Sequence, residues 1–94
     1  MLRTGETVVH HRELYMSRGE VVILSSPSED NQRTAFKIPL YFLQKSPVFQ
    51  AMIDLATDSD NPVIYDGAPV IAVDDSQEDL RVLFTSLYGK TYVI

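Results

Sequence analysis

The stretch from Phe36 to Leu55, FKIPLYFLQKSPVFQAMIDL, constrains the fold more than any other part of the chain, because eleven of its twenty residues are large aliphatic or aromatic side chains. Phe36 and Ile38 alternate as a strand does, Leu40 and Leu43 take helical spacing, and beyond Ser46-Pro47 the spacing is helical again through Val48, Phe49, Met52, Ile53 and Leu55. The residue before a proline is driven out of the α region, whereas serine caps a helix well and proline is tolerated at the first helical position. One helix therefore ends near Lys45 and another starts at Pro47. In the second helix Val48, Met52 and Leu55 form one apolar line and Phe49 with Ile53 another, and this double stripe is expected in the core.

A chain of 94 residues makes one small domain that can bury roughly 60 to 65% of its unfolded surface. It has no cysteine, so disulfides, thiolate chemistry and the commonest zinc sites are excluded, which suits a reducing compartment. A net charge of −5 with only eight scattered Lys and Arg argues against nucleic acid as a partner. The apolar runs are short, as at Val21 to Leu24, and the N-terminus lacks the apolar core of a signal peptide. The chain is expected to be soluble and intracellular, in cytoplasm or nucleus, with no membrane partner.

Residues 1–12 show no sustained period and read as a flexible or loosely paired arm ahead of a domain spanning 13–94. His10 and His11 would point to opposite sides of an extended chain, so they cannot easily share a metal, and a solvated pair is expected. Leu14 and Tyr15 are placed at a strand edge. Glu20 to Ser25 is β-branched and reads as a strand covered on both faces. Ser25 to Thr34 is an exposed loop leading to a second strand through Phe36 and Ile38, which Pro39 must end. Thr57 to Asn61 lacks the glycine and the closing glutamate of a calcium loop and reads as a solvated acidic linker. After a turn at Asp66-Gly67, Val70 to Val73 forms a third strand, expected parallel to the first because two helices intervene. A helix then runs from Ser76 to Tyr88. Asp75 with Glu78, or Ser76 with Asp79, has the capping spacing; Leu80, Leu83, Phe84, Leu87 and Tyr88 form its apolar face, and Gly89 is expected as its C-terminal cap.

No catalytic constellation emerges. Asp54, Asp58, Asp74 and Glu78 are assigned to loops or capping positions, His10 and His11 to the arm, and the four glycines stand too far apart to cradle a phosphate. The expectation is a chain that is not an enzyme and takes no cofactor or metal.

The order strand, strand, helix, helix, strand, helix (β-β-α-α-β-α) resembles a BTB/POZ domain, closest to those of fungal BTB proteins. The matching segments are Gly19 to Leu24, Phe36-Lys37-Ile38 followed by Leu43 and Ser46 to Met52, and Pro69 to Asp75 running into Leu80, Leu83 and Leu87-Tyr88-Gly89. Pro39 stands where that family usually has a histidine, and the spacing from Leu43 to Ser46 is about one residue tighter. The resemblance implies an α+β fold with a three-stranded mixed sheet and a cluster of short helices, the family's last helices missing. It also implies a protein-interaction module forming homodimers or pairing with another BTB-containing protein, and an adaptor role for a cullin-type ubiquitin ligase or a transcriptional regulator. The alternative is a truncated copy or gene-model fragment without activity of its own.

Association is expected at Leu14, Tyr15, Val21 and Ile23 or at Tyr92, Val93 and Ile94. The last three favour strands and would gain from pairing with a sheet edge.

Overall fold

In a computed structural model, residues 6–58 and 63–92 are described, with side chains throughout except at 56, 57 and 87–92. The elements in chain order are β1 (Thr7–Tyr15), β2 (Val21–Leu24), β3 (Gln32–Ile38), α1 (Leu40–Leu43), α2 (Pro47–Thr57), β4 (Ile64–Tyr65), β5 (Ala68–Ala72) and α3 (Gln77–Tyr92). This is a small α+β fold. Its sheet has five strands in the order β1-β3-β2-β5-β4, where the sequence predicts three.

The three predicted strands are present and paired as expected. β2 and β3 are antiparallel, with Ile23 opposite Phe36, and β2 and β5 are parallel, with Ile23 opposite Ile71. All four residues of β2 are buried, as a strand covered on both faces requires. β3 stops at Ile38, the last residue before Pro39.

The two additional strands are the corrections. β1 begins at Thr7 and pairs parallel with β3, so residues 7–12 are sheet and the boundary expected after residue 12 falls inside a strand. That pairing also draws Gln32, Arg33 and Thr34 out of the expected loop and into β3. β4 is a two-residue strand paired with β5 across Asp66-Gly67. Asp66 at φ 52° and Gly67 at φ 76° both adopt the left-handed region, which is what a two-residue hairpin turn matching the sheet's twist demands.

Side chains alternate between two cores. Val21, Ile23, Phe36, Ile38 and Ile71 face the helices and meet Phe42, Leu43, Phe49, Ile53, Leu80 and Phe84. Val22, Leu24, Ala35, Ala68 and Val70 fill the opposite face, where Val8 and Tyr15 pack on them. Close approach of the chain to the sheet depends on Gly19, where a Cβ would lie 2.7 Å from the Lys37 carbonyl carbon and 2.8 Å from the Ile38 nitrogen.

The helices follow the predicted breaks with three differences. Ser46 is the extended residue before α2, but its hydroxyl makes no capping bond; Pro47, by excluding the α region at its predecessor, accounts for the break. At α3 the capping alternative with Ser76 is realised, its Oγ accepting the Asp79 N–H at 3.2 Å. α3 runs past Gly89 to Tyr92, so Gly89 lies within the helix, at a propensity cost of about 1 kcal/mol, instead of ending it. Tyr92 is helical where a strand is expected, and Val93 and Ile94 lie outside the described residues.

Candidate functional site: an apolar surface and a side-chain clasp

The expected double stripe of α2 divides. Phe49 and Ile53 are buried at 4% and 5% exposure, whereas Val48 and Leu55, on the neighbouring line, are 63% and 77% exposed. A helix of eleven residues lying on a sheet buries one stripe, and the second line faces outward because nothing in the described chain covers it. Met52, between Val48 and Leu55 on that line, is half-buried against the core. Beside it opens a cleft of about 480 Å³ with Val48, Phe49, Met52, Val73 and Leu83 on its walls and Asp74 and Asp75 at its margin. Val82, the residue before Leu83 on α3, is also exposed.

Of the residues expected to associate, Leu14, Val21 and Ile23 are buried in the helix-side core and offer no surface. Tyr15 is half-buried on the opposite face, in a clasp between the two ends of the sheet. Adjacent strands are about 4.8 Å apart, so in a flat sheet β1 and β4 would be separated by about 19 Å. Here His10 Nε2 on β1 lies 2.7 Å from Tyr65 Oη on β4 in a hydrogen bond, which requires the sheet to curl. Tyr15 Oη donates to Asp66 Oδ2 at 2.8 Å, and Lys37 Nζ donates to the same oxygen at 3.1 Å and to the Asp66 carbonyl at 3.3 Å. The hydrogen bond from Tyr15, then the bond and charge of Lys37, hold the Asp66 carboxyl below the usual carboxylate range. Burial, followed by the bond to Asp66, raises the Tyr15 phenol above its ordinary value.

His10 and His11 do point to opposite faces, but they are neither in an unstructured arm nor merely solvated. His10 stacks on Tyr15, and His11 lies over Phe36 with ring centroids 4.9 Å apart. His11 Nδ1 accepts the N–H groups of Glu13 at 3.2 Å and Leu14 at 3.1 Å, closing an irregularity in β1. Burial holds the imidazole below its ordinary basicity; the Glu13 carboxylate opposes this and the Arg81 charge adds to it.

Among carboxylates considered for catalysis, Asp54 lies within α2, not in a loop, and accepts from Gln50 Nε2 at 3.0 Å. Among the described residues no group of three or more His, Cys, Asp or Glu could hold a metal ion, and no helix is long and apolar enough to cross a membrane.

Two features went unpredicted. The exposure of Val48 and Leu55 was readable, since a stripe two lines wide exceeds what one sheet face covers. The clasp was not, because its members come from positions 10, 15, 37, 65 and 66 and meet only when the sheet curls.

The fold thus defines a small α+β domain with a curled, mixed five-stranded sheet and an apolar surface on one side of its helices. No family model matches the chain, and neither a curated protein nor a solved structure matches it.

Proposed function

We propose that the chain is a protein–protein interaction module that associates with a second copy of itself, or with a similarly built domain, through the outward line of α2. The observation that carries this reading is the exposure of Val48 and Leu55 on either side of Met52, beside an apolar cleft. Large apolar groups in a contiguous exposed patch gain free energy when covered, and a two-fold arrangement lets one such patch cover its own copy. The order of elements from β2 onward, with the β4 hairpin added, supports the likeness to BTB/POZ domains expected from the sequence. In that wider reading the module serves as an adaptor, with a cullin-type ligase or a transcriptional regulator as the setting.

The test is light scattering coupled to size-exclusion chromatography on the wild type and on a Val48→Lys/Leu55→Lys double variant. The wild type should run as a dimer at tens of micromolar and the variant as a monomer with unchanged circular dichroism. A wild-type monomer, or a variant that remains a dimer, would overturn the reading.

A further inference from the structure

A second cleft, of about 330 Å³, lies between β1 and α3 on the helix side of the sheet, away from the apolar surface, and its chemistry is different. Arg12 and His11 of β1 and Arg81 of α3 line it, with Gln77 one turn before Arg81 on the same helix face. The remaining cations whose pairing the structure shows are matched to carboxylates, Arg33 to Glu6 and Lys37 to Asp66. Among the described residues Arg12 and Arg81 make no ion pair.

His11 adds a donor whose position is fixed by its own hydrogen bonds. Nδ1 accepts two backbone N–H groups and so carries a lone pair, which places the proton of the neutral ring on Nε2. That N–H has no partner among the described residues. The cleft is therefore lined by two arginines and a histidine, against the single carboxylate of Glu13, in a chain whose net charge is −5. Like charges brought together without a counterion cost free energy, and a guanidinium fork matches the paired oxygens of phosphate.

We propose that this cleft binds a tetrahedral oxyanion, a phosphate ion or a phosphate monoester, held by Arg12 and Arg81 with His11 Nε2–H as third donor. Occupancy by either ligand neutralises the arginine pair and joins β1 to α3 through the anion.

The experiment is a heteronuclear NMR titration of the full chain at pH 7.5 with inorganic phosphate and, separately, with phosphoserine, each against sodium chloride of equal ionic strength. Saturable shifts at the amides of residues 11–13 and 77–81, absent with chloride, are expected from at least one of the two. Tighter binding of phosphoserine assigns the site to a monoester, and tighter binding of phosphate to the free ion. Arg12→Gln and Arg81→Gln should each weaken binding roughly tenfold, the loss of one charge-assisted contact. Both side chains are exposed, and an unchanged thermal midpoint will verify that the variants fold. Shifts that chloride reproduces, or that persist at the same midpoint in both variants, would overturn the proposal.

Discussion

His10 and Tyr15 are both in β1, yet their rings stack with centroids 3.7 Å apart and planes 3° from parallel. The register explains it: His10 pairs with Ala35 and Tyr15 with Lys37, so β1 loops out where β3 advances by only two residues. His11 holds the looped residues by accepting from Glu13 and Leu14. His11→Ala leaves both N–H groups without that acceptor and should lower stability by about 1 to 3 kcal/mol, read as a shift in urea midpoint. An unchanged midpoint would mean that water satisfies the loop.

The same imidazole makes stability depend on pH. Its folded pKa lies below the ordinary 6.5, so on acidification the unfolded chain takes up the proton first. Stability should therefore be constant above about pH 7.5 with respect to this group, begin to fall near 6.5, and level off below the folded pKa. The charged groups acting on the ring are Glu13, which resists the decline, and Arg81, which adds to it. His11→Gln should flatten the urea midpoint between pH 5 and 7, and an undiminished slope would assign it to another group.

In the clasp, the largest influence on Asp66 is the hydrogen bond from Tyr15. Tyr15→Phe should raise the Asp66 pKa toward its ordinary 3.8, measured by NMR titration of the carboxyl carbon. The wild-type contribution of Asp66 is present above its unfolded pKa and lost as pH falls through the lower folded value. A Tyr15→Phe pKa identical to the wild type would assign the depression to Lys37 and His10.

Two glycines should respond to alanine for unlike reasons. At Gly19 the new methyl meets the backbone of Lys37 and Ile38 at under 3 Å, so the strand must shift, at about 1 to 3 kcal/mol or more. At Gly67 nothing lies within 4 Å, and the cost of about 1 kcal/mol comes from φ +76° alone. Thermal melts of the two variants should differ in that order, and the reverse order would contradict the close approach.

Phe84 joins the halves of the helix-side core, with its ring centroid 5.2 Å from Phe36 and 5.6 Å from Phe49. Phe84→Ala should cost about 3 to 5 kcal/mol, enough to unfold a domain this small. Val48→Ala should cost much less in the isolated chain, given its exposure. Equal losses in chemical denaturation would place Val48 in the core after all.

The sequence carried the central strands and helices because each has a local cause: the β-branched run at Val21, the serine-proline break at Pro47, the serine before Gln77. It did not carry β1, where polar His10, His11 and Arg12 interrupt the alternation that marks a strand, although β3 pairs with the chain on either side, at Thr7 to His10 and again at Tyr15. Nor could a two-residue strand such as Ile64-Tyr65 announce itself, since it exists only through pairing with Ala68 and Pro69. Of the candidate surface, the apolar content of α2 was legible; which line of it would face outward depended on how much sheet lay beneath.

β2 has a hydrogen-bonded neighbour on each side, and those neighbours become available at different distances along the chain. Leu24 reaches Ala35 across a short loop, whereas Val22 reaches Val70 only after both intervening helices. Closing the longer loop costs about 1 kcal/mol more in chain entropy than closing the shorter one. The β2–β3 hairpin is therefore the natural nucleus, with β1 and β5 added to a template already in place. Amide hydrogens inside that hairpin should exchange with solvent last, and those of the β4 edge first.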